Sequence, residues 1–183
     1  MHISQVKTAQ KIGDFFIRND GSPHKIDLKY LPTISSDYLS DDSARIYLFV
    51  VDGVIKKIGG SASKGGIKAT MSFYVNALAG SPGVPRFVLH LLIHRALIAT
   101  SKVELFMITS EKTLARVSGL FASKEMEIAS FKEMEDLCKA DYFAAEKKYP
   151  DWNFQENSTD YPNDLAKLHN EYHKERLKKK ERE

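Results

Sequence analysis

The sequence predicts an α/β fold: a small three-stranded, mainly antiparallel sheet flanked by helices, with helical extensions at the amino and carboxy termini. The first observation is a β-hairpin. Residues 45–51 and 54–58 are short runs rich in β-branched and aromatic side chains. They flank Asp52-Gly53, a dipeptide that supplies the positive φ angles of a tight hairpin turn. The second observation is a third apolar run at residues 102–109, which follows two segments with helical spacing.

Before the hairpin, the sequence predicts a short helix and then an irregular arm. Apolar positions between residues 1 and 18 are compatible with a helix that packs onto the core. A turn cluster, Asn19-Asp20-Gly21-Ser22-Pro23, follows it. Residues 24–43 are polar and predict a loop that leads into the first strand.

After the hairpin, the pattern is mostly helical. Apolar residues at helical spacing predict a helix over residues 67–78. Residues 86–100 are apolar almost all round, which is typical of a buried helix. Beyond the third strand, the pattern is helical and charged as far as Tyr149. Residues 165–183 are strongly charged and predict either a solvated helix or a disordered tail.

Length and composition favour one compact domain. With 183 residues, of which 43% are hydrophobic, the chain can bury a core of its own. We divide it into an amino-terminal arm with a helix, residues 1–43, a central domain, residues 44–156, and a charged tail, residues 157–183. The single cysteine, Cys138, cannot form an intramolecular disulfide, so we expect a reducing, cytoplasmic location.

Charge and hydropathy narrow the classes of function. No apolar run reaches about 18 residues without a charge, and the amino terminus lacks a secretory pattern, so we expect a soluble protein with no membrane partner. The formal net charge is +3. This charge permits a nucleic-acid partner without requiring one, because DNA-binding proteins often concentrate positive charge in one groove.

The hairpin resembles that of the GIY-YIG nuclease family. The two signature tripeptides of that family lie on adjacent strands, and here they read Arg45-Ile46-Tyr47 and Lys57-Ile58-Gly59. The chain departs from the signature at Arg45, where the family has glycine, and at Lys57, where some of its restriction enzymes also have lysine. Pro150-Asp151-Trp152-Asn153 resembles the motif that follows the family's metal-binding helix. The resemblance covers residues 44–156.

The resemblance implies roles for residues on and after the hairpin. Tyr47 would lie against the attacking water as general base or as its orienter, and Lys57 would act on that water or on the scissile phosphate. Lys68 stands where the family has a phosphate-binding arginine, but lysine cannot make the same planar bidentate contact. Further candidates for contact with phosphate or DNA are Ser61, Lys64, Tyr74 and Asn153. Each of these roles has a structural alternative. In it, Tyr47 and Tyr74 belong to the core, Lys57 is a solvated lysine, and the Ser61 hydroxyl stabilises a turn.

The metal ligand has two candidates under this resemblance. The family's spacing, counted back from Asn153, leads to Asp141, whereas the spacing in its lysine-type restriction enzymes leads to Glu135. Six residues separate the two, about 240° round a helix, so both cannot face one ion in the same way. We rank Glu135 first because glutamate is the family's residue. Oxygen ligands suit Mg²⁺, with Mn²⁺ as an alternative.

The histidines predict no separate metal site. His90 and His94 have ligand spacing on one helix face, but that helix is otherwise apolar, so histidines satisfied within the core are the favoured interpretation. His169 and His173 repeat the spacing in the charged tail, where the sequence offers no third ligand.

We therefore predict a metal-dependent DNA endonuclease that hydrolyses phosphodiester bonds, of a site-selective restriction or phage type. Its partner would be double-stranded DNA, and a homodimer would place two active sites on opposite strands. Two alternatives stay open. One is a noncatalytic nucleic-acid-binding protein that retains the nuclease fold, and the other is an RNA-directed or structural protein that uses the sheet as a scaffold.

Overall fold

A computed structural model of the chain describes residues 1–19, 24–110, 113–128 and 130–180. Its strands are β1 (Gln10–Ile17), β2 (Ile26–Tyr30), β3 (Arg45–Val51), β4 (Val54–Ser61) and β5 (Val103–Thr109). They form one antiparallel sheet in the order β2-β1-β5-β3-β4. The α/β prediction and the three predicted strands are confirmed, and the sheet is larger than predicted because β1 and β2 join it.

The helix predicted over residues 1–18 is wrong. In the described part of this segment, Ile3–Gln5 forms a single 3₁₀ turn and β1 follows it. β1 pairs with β2 on one side and with β5 on the other, and its Ile12 and Phe15 are buried. Pairing with distant strands decides the conformation of such short apolar segments. β2 lies in the expected loop, and residues 20–23 of the turn cluster lie outside the described residues.

β3 and β4 form the predicted hairpin. Asp52 and Gly53 at its turn have φ angles of 47° and 80°, which is the positive pair that a tight hairpin turn requires. A bulge makes Lys56 the extra residue of β4 and leaves Tyr47 directly opposite Gly59. β4 is an edge strand, so its outer hydrogen-bonding groups need other partners.

Helices cover both faces of the sheet. They are α1 (Ser36–Ser40), α2 (Gly66–Val75), α3 (Val84–Ile98), α4 (Phe131–Glu146) and α5 (Asn163–Lys180). Side chains of β3 alternate between the two faces of the sheet: Tyr47 and Phe49 share a core cluster with residues of α2 and α3. Ile46, Leu48 and Val50 share another with residues of α4. β3 is therefore buried from both sides.

The segment between β5 and α4 is not the continuous helix that we predict. It contains a second, two-stranded sheet, β6 (Thr113–Ser118) paired with β7 (Ser123–Ile128), before α4 begins at Phe131. Residues 125–128 of β7 alternate between charged and apolar types, which is the period of a strand. At the turn of this hairpin, the side chains of Leu120 and Phe121 are 95% and 99% exposed.

Within the charged tail, Asn163–Lys180 forms helix α5, which is one of the two alternatives that the sequence allows. α5 packs on α3 through a cluster that contains Phe87, Leu91 and Leu165. Its amino-terminal half is therefore part of the fold. Within the described ranges, no helix is both long enough and apolar enough to span a membrane.

Candidate active site

A cavity of about 280 Å³ is lined by residues from both helical layers and from the edge strand β4. Four of the side chains with predicted roles lie in it: Tyr47, Lys57, Tyr74 and Glu135. The lining also includes two further charged residues and one aromatic residue, namely Lys139, Glu156 and Trp152. These residues come from β3, β4, α2, α4 and the loop after α4, so only the folded chain brings them together.

Two glycines let candidate side chains lie directly against β4. A β-carbon on Gly59 would lie 2.4 Å from the Tyr47 hydroxyl, and one on Gly60 would lie 2.7 Å from a carboxylate oxygen of Glu135. Glycine in a strand marks such close approaches. The phenol and the carboxylate therefore share one short stretch of strand backbone.

Tyr47 is buried, and its hydroxyl lies 2.6 Å from that of Tyr74. Burial raises the pKa of the Tyr47 phenol well above its usual value, and Tyr74 and Glu135 raise it further. Burial also raises the pKa of Tyr74, against the effects of the Tyr47 hydrogen bond and of Arg86. Both phenols are therefore neutral near pH 7, and each hydroxyl can donate one hydrogen bond and accept others.

Lys57 projects into the same cavity from β4. Burial lowers the pKa of its ammonium group, because a charge loses hydration in the protein interior. Glu156 and Glu135 favour the charged form, whereas Lys139 disfavours it. The neighbouring carboxylates thus offset part of the cost of burying this cation.

Lys139 joins the two carboxylates of the cavity. Its ammonium lies 2.7 Å from Glu135 and also forms an ion pair with Glu156. Burial lowers the pKa of Lys139, but its hydrogen bonds to the two carboxylates outweigh burial and raise it. Burial raises the pKa of Glu156, but Lys139 and Lys57 outweigh burial and lower it. Two ammonium groups and two carboxylates therefore form one compact network.

Asn153 fastens the loop after α4 to the edge of the sheet. Its buried side chain accepts a hydrogen bond from the Ile58 N–H at 2.9 Å and donates one to the Ile58 carbonyl at 3.1 Å. The Trp152 N–H donates to the Lys56 carbonyl at 2.8 Å. Both polar atoms of the Asn153 amide are used inside the fold, which gives no support to its predicted contact with DNA.

Lys68 and Asp141 lie outside the cavity. The Lys68 ammonium donates to the Ser36 hydroxyl at 2.7 Å and borders a separate depression next to β2. Asp141 borders another depression with Met1 and Tyr142, on the α4 side of the sheet. Of the two candidate metal ligands, the cavity therefore contains Glu135 and does not contain Asp141.

Ser61 and Lys64 also lie outside the cavity lining. The Ser61 hydroxyl is 2.6 Å from that of Thr70 and accepts a hydrogen bond from the Ser63 N–H at 3.2 Å. This arrangement matches the turn-stabilising alternative for Ser61. The side chain of Lys64 is exposed.

Sequence reasoning missed three charged residues, Lys139, Glu156 and Arg86. The Arg86 guanidinium stacks on the Phe73 ring, with its central carbon 4.4 Å from the ring centroid. It lines a second cavity, of about 470 Å³, which shares Tyr74 and two other residues with the first. A signal was present for Arg86, because a cation in the first turn of a helix opposes the helix dipole. Glu156 lies in a loop and gave no such signal.

The sequence matches no known protein family and no curated protein at a significant level. The structure is similar to that of a mutant of bacteriophage T4 EndoII, with a TM-score of 0.53 and 16% identity over 84% of this chain and 99% of that chain. Restriction endonuclease HPY188I in complex with product DNA gives a TM-score of 0.47 and 16% identity, over 81% of each chain. At 16% identity, the similarity to EndoII shows a shared, nuclease-like fold.

Proposed function

We propose that the protein is a metal-dependent DNA endonuclease of the GIY-YIG type, which hydrolyses phosphodiester bonds in double-stranded DNA. The observation that carries the proposal is the single cavity that collects Tyr47, Lys57 and Glu135. The similarity of the fold to that of phage EndoII supports it. Within this class, we propose a site-selective enzyme of the restriction or phage type.

In this proposal, Tyr47 orients the attacking water. A buried phenol whose pKa is raised keeps its proton at neutral pH, so it is better suited to hold a water molecule than to act as a phenolate base. The Tyr74 hydroxyl, 2.6 Å away, is a hydrogen-bond partner for it. The two phenols together define where a water molecule can be held.

Lys57 supplies positive charge where the phosphorane would form. A cation in a site with restricted access of water stabilises developing negative charge more strongly than it does in bulk water. Lys139 has a positioning role, because it holds Glu135 and Glu156 on one side of the cavity through its two ion pairs. Its loss would release both carboxylates.

In this proposal, Glu135 and Glu156 are the carboxylates that would hold a magnesium or manganese ion. Such ions take oxygen ligands, and Mg²⁺ needs only one or two protein carboxylates when substrate phosphates and water complete its coordination. When bound, the ion would polarise the phosphate and lower the pKa of a coordinated water molecule. In the described part of the chain, no three His, Cys, Asp or Glu side chains converge, so the substrate would have to supply ligands.

Arg86, rather than Lys68, is the cation that we propose for a DNA phosphate beside the cavity. Lys68 is bonded to Ser36 away from the cavity, whereas Arg86 lines the adjoining one and acts electrostatically on Tyr74. A guanidinium stacked on an aromatic ring is held in a restricted orientation and keeps its donors for a phosphate.

The first test is cleavage of supercoiled plasmid by the purified chain in titrations of MgCl₂ and MnCl₂, with EDTA as the blank. We expect cleavage that requires the metal, and we expect Glu135→Gln to slow it by at least about a hundredfold. Asp141→Asn is the matched control on the same helix and should keep native activity. Plasmid left intact by the native chain, or cut normally by Glu135→Gln, would contradict the proposal.

The second test compares three cations. Arg86→Ala should slow cleavage by about a hundredfold, whereas Lys68→Ala should have little effect. Arg95→Ala is the control, because Arg95 lies on the same helix and pairs with Asp164 on the surface. If Lys68→Ala cuts slowly and Arg86→Ala cuts at the native rate, the phosphate contact belongs to Lys68, the position that the family's spacing indicates.

The competing proposal is a noncatalytic nucleic-acid-binding protein that retains the nuclease fold. One observation favours it: the residue at the position of the family arginine, Lys68, does not lie in the cavity. It predicts that the chain binds duplex DNA in EDTA and leaves it intact with either metal. The proposed homodimer is tested separately, by sedimentation of the chain with and without DNA.

A further inference from the structure

His169 and His173 on α5 form a compact cluster with a backbone carbonyl. Their Nε2 atoms lie 3.0 Å apart, and they lie 3.0 and 3.2 Å from the carbonyl oxygen of Pro82. The sequence offers no third ligand for this pair, and the fold supplies one from the loop that precedes α3. Two ring nitrogens and one oxygen therefore form a nearly equilateral triangle.

Hydrogen bonds cannot satisfy all three edges of this triangle. The Pro82 oxygen only accepts, so each Nε2 needs a hydrogen to bond it. If both nitrogens carry hydrogens, the contact between them has two donors and no acceptor. If one nitrogen lacks a hydrogen, its lone pair faces the carbonyl oxygen. In every tautomer at least one contact is unfavourable, whereas a cation at the triangle would be attracted by three lone pairs.

Several carbonyl oxygens of the segment from Leu78 to Pro82 face α5. The Tyr172 hydroxyl lies 2.6 Å from the Leu78 oxygen and 2.8 Å from the Gly80 oxygen, yet it has one hydrogen to donate. With the Pro82 oxygen, three carbonyls of this loop thus approach one stretch of α5. This independent observation also indicates that the region would gain from a positive charge.

The distances fit the coordination sphere of a transition-metal ion. At a metal–nitrogen distance of about 2.1 Å, two ligand atoms of one ion lie roughly 3.0 Å apart at a right angle and roughly 3.4 Å apart at the tetrahedral angle. The observed 3.0 to 3.2 Å falls within that range. We propose that His169, His173 and the Pro82 carbonyl bind a divalent transition-metal ion such as Ni²⁺ or Zn²⁺, with water completing its coordination.

Imidazole ligands select this class of ion, because Mg²⁺ and Ca²⁺ prefer oxygen. His169 is buried and His173 is half-buried, so the ion reaches the site from the His173 side. Once bound, it links α5 to the loop before α3, three residues ahead of Pro85, which lines the candidate active site. Its role is therefore to stabilise the fold, independent of the proposed nuclease reaction.

The other histidine pair shows why spacing alone does not make such a site. His90 and His94 are also four residues apart on one helix. Both ring nitrogens of His90 already contact carbonyl oxygens, those of Tyr74 at 2.7 Å and His24 at 2.8 Å. These are two different carbonyl oxygens, one at each nitrogen of a single ring, whereas at the proposed site one carbonyl oxygen lies against a nitrogen from each of two rings. The pair of His90 and His94 is therefore a matched control within the same chain.

The test is titration of the chain, free of any histidine tag, with NiCl₂ and with ZnCl₂, followed by calorimetry and thermal unfolding. All variants carry Glu135→Gln, so that the candidate active site contributes less to binding. We expect one ion per chain and a Tm increase of about 5 °C or more at a hundredfold excess over the dissociation constant. His173→Gln should weaken binding at least tenfold, and His94→Gln should leave it unchanged.

A second measurement uses the chain without substitution at the histidines. Paramagnetic Ni²⁺ should broaden the NMR signals of the His169 and His173 rings and of the backbone near Pro82 before any others. The proposal fails if neither metal binds, if His173→Gln binds as tightly as its parent, or if the broadening centres elsewhere in the chain.

Discussion

Asn153→Ala tests whether the loop after α4 closes the free edge of the sheet. β4 is an edge strand, and exposed strand edges are commonly covered or blocked in native proteins. Asn153 takes the place of a neighbouring strand, because its amide bonds both the N–H and the carbonyl of Ile58. Alanine removes both bonds and leaves the two backbone groups of a buried residue without their partner.

The expected loss of stability in Asn153→Ala follows from these two hydrogen bonds. A buried polar group that loses its partner costs about 1–3 kcal/mol, and Asn153 itself is 1% exposed. For two groups, with partial relief by water at the edge, we expect the free energy of unfolding to fall by about 3 kcal/mol. In a chain of this length that corresponds to a decrease in Tm of roughly 6–12 °C.

The assay is urea-induced unfolding followed by circular dichroism, with thermal unfolding as a second measure. Asn170→Ala is the matched control, because Asn170 is exposed on α5 and should change stability by less than about 0.5 kcal/mol. A decrease of less than about 1 kcal/mol for Asn153→Ala, close to that of the control, would refute the edge-pairing argument.

Three further predictions concern packing and protonation. Gly60→Ala should lower the free energy of unfolding by about 1–3 kcal/mol, because the new methyl group would lie 2.7 Å from a carboxylate oxygen of α4. Gly80→Ala, with no atom within 4 Å of the new methyl group, should be tolerated. Urea unfolding of both variants measures the difference. Burial raises the pKa of Tyr30 and Tyr142 to about 12. In the unfolded chain tyrosines lose their protons near pH 10. The stability of the folded chain should therefore fall as the pH rises from about 10 towards 12. Unfolding midpoints across that range that stay constant would contradict this prediction. Burial raises the pKa of the Cys138 thiol, so alkylation of the folded chain should be slower than that of the chain in urea, and equal rates would show that the thiol is accessible and unshifted.

The sequence predicts the hairpin of β3 and β4 well because its signal is local. Asp52 and Gly53 specify the turn, and the alternation along β3 then separates Tyr47 and Phe49 from the opposite face. β1 and β2 have no comparable signal. Their hydrogen-bond partners are one another and the distant β5, so their conformation depends on contacts that a short window of sequence does not contain.

Arg45 shows a second kind of limit. It stands where the family signature has glycine, and it is 2% exposed. Its guanidinium donates to the carbonyls of Ser43 and Ser63, which lie just before β3 and just after β4. Burial lowers its pKa, and Asp41 and Asp42 act in the opposite direction. A composition-based reading treats such an arginine as a surface charge, whereas here it joins two loops.

Helix phase explains which of the predicted site residues reach the cavity. Lys68 and Tyr74 are six residues apart on α2, as Glu135 and Asp141 are on α4, and six residues correspond to about 240° round a helix. In each pair one member lines the cavity, Tyr74 or Glu135, and the other faces a different part of the surface. Sequence spacing limits each pair to one member, but it does not choose between them. The choice depends on how each helix is rotated against the sheet, which is set by the buried residues of the whole domain.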